Sequence, residues 1–147
     1  PMLLAGVAFF PAACRPAHNA FPYPEIEVGL IAPSPPEPGV VTREYPGWQD
    51  SAKLTSVALP TRSYQVHRAF RTDGRAGFFA VGYQLLGDQQ AELRQYVADH
   101  PGDQIAVIVR GDLVLGARIH EDHPSIGLIE GVTDDAIPDL IRLLTND

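Results

Sequence analysis

Two imidazoles and two carboxylates fall within four consecutive residues at His120-Glu121-Asp122-His123. Such a set could hold a zinc ion or supply an acid–base pair, because imidazole nitrogen and carboxylate oxygen both ligate zinc and carry protons. A zinc site would need a further ligand from elsewhere, and His67 and His100 are the residues that offer one. The segment joins two expected strands, where charged residues are usual because connecting loops are solvated. The solvated loop is the preferred reading, and His120, His123 and Glu121 stand as the alternative metal or catalytic set. Ser51, Ser56 and Ser63 lie in no G-x-S-x-G pattern, so nucleophilic hydrolysis has no support. Arg110-Gly111-Asp112 spells an adhesive tripeptide, yet a tight hairpin needs a glycine there anyway, with Gly and Asp tolerating positive φ. No catalytic residue is assigned, and the expectation is a protein that is not an enzyme and takes no cofactor.

Cys14 is the single cysteine, which excludes an internal disulfide and a cysteine-built zinc site. It follows an uncharged apolar run, Met2 to Phe10, of signal-peptide length and too short for the roughly 20 residues of a spanning helix. Pro11-Ala12-Ala13-Cys14 resembles a bacterial lipobox, in which small residues precede a cysteine that receives lipid. It departs from that pattern in Pro11, where leucine is usual. The competing reading is a buried core cysteine beside an apolar segment. Residues 1–14 are therefore expected to be a signal peptide, with lipidation at Cys14 anchoring the protein to a membrane.

Residues 15–50 carry a different composition. Pro22, Pro24, Pro33, Pro35, Pro36 and Pro38 remove backbone donors and bias their predecessors to extended conformations. The stretch is expected to be a disordered, proline-rich tether. The alternative, a polyproline ligand at Pro33-Ser34-Pro35-Pro36, names no partner. Gly47-Trp48 is expected to be where the chain first touches a folded domain, with the tryptophan as packing anchor.

From Ser51 onward the patterning becomes regular. Leu54 to Arg68 holds a β-rich run interrupted at Pro60, and Phe78 to Leu86 forms a second strand. Asp88 is expected to cap a helix over 89–99 that presents Leu93, Tyr96 and Val97 on one face. Gln104 to Val109 is almost wholly apolar and β-branched, the mark of a central strand covered on both faces, and Leu113 to Ile119 returns antiparallel. A short strand at Ile126 to Glu130 precedes a last helix, entered at Thr133-Asp134-Asp135, with Ile137, Leu140, Ile141 and Leu144 at helical spacing. The order β-β-α-β-β-β-α predicts an α+β fold, an antiparallel-rich sheet with two helices on one face, over residues 51–147.

Composition bounds the partners. Eleven basic residues are scattered among eighteen acidic ones, for a formal net charge of −7, which argues against nucleic acid because phosphate binding needs clustered Lys and Arg. No small-molecule ligand is evident.

The run Ile105-Ala106-Val107-Ile108-Val109, the turn Gly111, then Val114, Ala117 and Ile119, followed by Ile129-Glu130-Gly131-Val132-Thr133-Asp134-Asp135-Ala136 before a leucine-rich helix, resembles the head subdomain of the first periplasmic domain of SecD and SecDF. The likeness spans about Phe78 to Leu144 and departs at Arg118, where the family has proline, and at Arg110, where it has aspartate. It lacks the multiple membrane helices of that family, so proton-driven translocation does not carry over. The resemblance implies a SecD head-like fold, an extracytoplasmic location and a non-catalytic antecedent that engages polypeptide. The combined expectation is an exported protein of the periplasm or cell envelope, lipid-anchored at Cys14, whose interaction domain binds polypeptide or an envelope partner.

Overall fold

The computed structural model describes residues 23–74, 77–118 and 127–145. Eight strands, two α-helices and a short 3-10 turn follow one another as β1 (Glu25–Leu30), β2 (Thr42–Pro46), β3 (Leu54–Ala58), β4 (Arg62–Asp73), β5 (Phe79–Leu85), α1 (Gln89–Ala98), β6 (Gln104–Val109), β7 (Asp112–Arg118), β8 (Leu128–Ile129), the turn Asp134–Ala136 and α2 (Ile137–Thr145). Six strands form one antiparallel sheet in the order β7-β6-β1-β4-β5-β8, and β2 pairs with β3 in a separate hairpin. The large sheet curls until it is nearly a barrel, and the architecture is α+β.

The N-terminal part corrects the expectation of a tether over residues 15–50. Within it, β1 lies at the centre of the sheet, pairing with β4 on one side and β6 on the other. Its sequence explains the placement: Ile26, Val28 and Leu30 alternate with Glu25, Glu27 and Gly29, giving one apolar and one mixed face. Ile26 and Val28 are fully buried. Thr61 donates a hydrogen bond of 3.2 Å to the Glu27 carboxylate across the β1–β4 pair, which gives the charged face a partner. The prolines flank this strand and leave its ladder intact: the Pro24 carbonyl accepts from the Val66 N–H at 2.8 Å. The chain thus meets the fold well before Gly47-Trp48, although the Trp48 N–H does donate to the Leu113 carbonyl at 2.9 Å.

The observed order also has one strand more after Ser51 than β-β-α-β-β-β-α. The run from Leu54 divides at Leu59-Pro60 into β3 and β4, which belong to different sheets. A proline cannot donate to a ladder, and the break lets the chain leave the hairpin and enter the main sheet.

Two core clusters lie on opposite faces of β1 and β6. On one face Ile26, Val28, Tyr64, Val66, Val107 and Val109 pack with Leu93, Tyr96 and Val97 of α1 and with Ile137, Leu140 and Leu144 of α2. On the other, Tyr45 and Val57 of the hairpin cover Ala106 and Ile108. This two-sided burial is why β6 is apolar at successive positions. Gly29 permits the hairpin to close on β1, since a β-carbon there would stand 2.7 Å from Val57 Cγ1. The β6–β7 reversal is a two-residue loop with φ 50° at Arg110 and 84° at Gly111, and Asp112 already pairs with Val109. The second left-handed position is therefore occupied by Arg110 and not by Asp112, as expected of a type I′ turn whose twist matches the strands.

Candidate binding cleft

Helix α1 is held to the sheet by its first turn. Asp88 stands at the N-cap position but makes no side-chain capping bond. Instead Gln89 Oε1 accepts from the Gln65 N–H at 2.6 Å and Gln90 Oε1 accepts from the Leu85 N–H at 3.1 Å. The glutamines give partners to backbone donors of β4 and β5 and so fix the helix over the sheet.

At the helix's other end a polar cluster forms. The Arg62 guanidinium lies 4.6 Å from the centre of the Tyr96 ring, and the His100 ring lies 4.7 Å from it. His100 Nδ1 is 2.7 Å from the Tyr96 carbonyl, a geometry in which Nδ1 is the donor. Burial pushes the Tyr96 phenol up, against the opposing pull of Arg62. The buried Tyr64 hydroxyl, also near Tyr96, has no hydrogen-bond partner among the described residues. The imidazole is thus committed to the end of α1, and the cluster is a packing arrangement of aromatic rings and one guanidinium.

The opposite end of the molecule carries an apolar cleft of about 480 Å³ lined by Gly74, Phe78, Phe79, Glu130, Gly131, Val132 and Thr133. One wall is the end of the β4–β5 hairpin. Phe79 opens β5 directly opposite Asp73, and the Gly74 N–H donates to the Phe78 carbonyl at 2.7 Å. The other wall is the link from β8 to α2, turned by Gly131 at φ 77°. Phe78 is 74% exposed and Phe79 37%. The Arg71 guanidinium lies 3.7 Å from the Phe79 ring centre and makes no ion pair among the described residues. Two adjacent exposed phenylalanines beside a concave apolar surface mark a place where another molecule's apolar groups can leave water.

A second hollow of about 470 Å³ lies on the outer face of β4 and β5, between Phe70, Gln84, Gln90 and Arg94. Its floor is Gly82, over which the Phe70 ring lies, leaving mixed polar walls without an exposed aromatic. It lacks the apolar lining of the first cleft.

Cys14, His120, Glu121 and His123 lie outside the described residues. The histidines that offered a distant ligand are far apart in role: His67 is an exposed β4 residue whose ring lies 5.7 Å from that of Tyr23, and His100 is bonded at the end of α1. Among the described residues no group of three His, Cys, Asp or Glu side chains is placed to hold a metal ion. The cleft itself was not foreseen. Its signal was the pair Phe78-Phe79 directly after Gly77, a place where two aromatics cannot both enter a core from the end of one strand.

Comparisons with protein-family models, curated proteins and solved structures find no match.

Proposed function

We propose that this is an exported cell-envelope protein, lipid-anchored through Cys14, whose SecD head-like domain is a non-catalytic interaction module that seats an apolar segment of a polypeptide between Phe78-Phe79 and Gly131-Val132. The observation that carries the reading is the exposure of Phe78 and Phe79 at the apolar cleft. Leaving the Phe78 ring in water forgoes most of the about 1.5–3 kcal/mol that full burial would supply, a standing driving force for a partner to which the half-covered Phe79 ring adds less. The sequence likeness to the SecD head over Phe78 to Leu144 supports a polypeptide as that partner. The apolar run before Pro11-Ala12-Ala13-Cys14 supports export and anchoring. Among the described residues no helix is long and apolar enough to cross a membrane.

The test is fluorescence anisotropy of a labelled, leucine- and phenylalanine-rich peptide titrated with the purified chain. Binding should weaken about tenfold or more in Phe78→Ser, as expected for losing one well-placed aromatic anchor, with the far-UV circular dichroism unchanged. Equal affinity in parent and variant would overturn the cleft as the site. Mass spectrometry of the protein recovered from bacterial membranes tests the anchor, and an unmodified Cys14 would overturn it.

A further inference from the structure

Strand β5 turns its main-chain groups alternately toward β4 and toward β8. The Tyr83 N–H donates to the Gly127 carbonyl on the β8 side, whereas the Leu86 N–H donates to the Gln65 carbonyl on the β4 side. By the two-residue period of a strand, Val81 and Phe79 face the β8 side as Tyr83 does. Val81 finds Ile129 there, but the ladder ends at once, with Val81–Ile129 and Gly82–Leu128 as its only pairs. The next partner in line for Phe79 is Gly131, and there a φ of 77° turns the chain away toward α2. Among the described residues the Phe79 N–H and C=O are therefore left without a hydrogen-bond partner. Vacated ladder, exposed ring and apolar cleft coincide at this residue.

Resting on the cleft reading, we infer that the polypeptide segment is taken in extended form, as a short antiparallel strand added beside β5 in the line that β8 leaves. In an antiparallel pair one residue exchanges both of its main-chain bonds with the residue opposite, which matches the free donor and acceptor of Phe79. A helix bonds these groups within itself and an acyl chain has none, so neither gives Phe79 a partner. A vacated strand edge is where extended peptides add, about 4.8 Å from the strand they join. The side chain opposite Phe79 falls on the same face as the Phe79 ring. Val81 enters the main core from that face, and Val132 packs against the same core. The neighbouring residues of the segment point to the other face. The site thus asks for one large apolar side chain in an extended frame and sets no such demand on the residue before or after it. Many sequences meet that demand while unfolded, and few do so as helices.

The experiment uses the full chain, isotope-labelled for amide exchange, and a peptide with a Leu-Phe-Leu centre. At saturation the peptide should slow exchange of the Phe79 amide about tenfold or more. The Ala80 amide, which already faces Thr72 in the β4–β5 ladder, should change by less than about twofold and serves as the internal control. Three further peptides each carry one N-methyl group on a central residue. Methylation of the residue opposite Phe79 should weaken binding about threefold to tenfold, the net worth of one hydrogen bond, while methylation of its neighbours should have less effect. An unslowed Phe79 amide, or equal affinity of all three methylated peptides, would overturn the strand addition. So would equal or tighter binding of the same peptide stiffened into a helix with α-aminoisobutyrate. If binding nonetheless depends on Phe78, the cleft reading stands in each of these cases. If no peptide binds, the cleft reading fails and this inference with it.

Discussion

Gly29 and Val57 meet where the β2–β3 hairpin closes on β1: a β-carbon on Gly29 would stand 2.7 Å from Val57 Cγ1 and 3.0 Å from Thr61 Cγ2. Gly29→Ala should therefore destabilise the fold by about 1–3 kcal/mol, the usual cost of overpacking a filled site, even though Gly→Ala elsewhere often stabilises through the unfolded chain. Val57→Ala opens a cavity and also destabilises, but combining the two should cost less than their sum, because the new methyl enters the space the old ones left. Urea denaturation of the two single variants and the double variant measures that coupling. Strict additivity would show that the hairpin shifts away without touching β1.

A chain beginning at Ser51 should fail to fold. It would lack β1, the strand between β4 and β6, together with the fully buried Ile26 and Val28. Those two side chains alone represent about 3–6 kcal/mol of burial in a domain whose total stability is expected to be about 5–15 kcal/mol. The loss also leaves two unpaired strand edges facing each other in the middle of the sheet. The shortened chain should show no cooperative unfolding transition, whereas a synthetic peptide of residues 23–50 added in trans should restore one. A sharp transition without the peptide would show that β4 and β6 can pair directly.

The contrast between β1 and β6 shows which parts of the fold were legible. Gln104 to Val109 announced itself because both of its faces are buried, leaving a continuous apolar run from Ile105 that is β-branched at all but Ala106. Glu25 to Leu30 carried an equally clear alternation, Ile26-Val28-Leu30 against Glu25-Glu27-Gly29, but it is six residues long and lies among six prolines spread over 22–38. Composition averaged over that window described the prolines and concealed the strand. The helices were legible from Leu93-Tyr96-Val97 and from Ile137-Leu140-Leu144, all of which are buried. Asp88 was misleading because a capping residue type implies a local bond, while the helix start is held by Gln89 and Gln90 reaching to β4 and β5. The cleft was hidden for a similar reason. Its walls, Phe78-Phe79 and Gly131-Val132, are some fifty positions apart, and only the β5–β8 pairing brings them together.

Alkaline pH should destabilise the domain through Tyr83. Burial pushes its phenol up to about 12, partly offset by a hydrogen bond from the Gly127 backbone. The folded state thus holds the proton more tightly than the unfolded chain, where a tyrosine titrates near 10. The associated stability is complete below pH 10 and is lost as pH rises from there through about 12, to a total of roughly 3 kcal/mol. Tyr96, raised in the same direction, adds to the loss. Urea midpoints at pH 9, 11 and 12 should fall in that order for the parent chain. Tyr83→Phe, which has nothing to ionise, should flatten the slope. An unchanged slope in the variant would place the alkaline sensitivity elsewhere.

Tyr64 offers the opposite kind of test, because its hydroxyl contributes a cost and no bond. The side chain is 3% exposed, its ring packs in the main core between β1 and the helices, and its hydroxyl oxygen has no hydrogen-bond partner among the described residues. A buried hydroxyl without a partner forgoes its bonds to water, a penalty of about 1–3 kcal/mol. Tyr64→Phe keeps the ring and removes that penalty, so it should leave the protein equally stable or stabilise it by up to about 2 kcal/mol. Tyr64→Leu separates the ring's packing from its hydroxyl and should destabilise, since a planar side chain is replaced by a smaller branched one against Ile26 and Tyr96. The two variants together decide the point: loss of more than about 1 kcal/mol in Tyr64→Phe, beyond the usual worth of one neutral hydrogen bond, would mean that the hydroxyl is bonded in solution. In that case Tyr64, Tyr96 and Arg62 would form a working polar network at the end of α1 and not only a packed one.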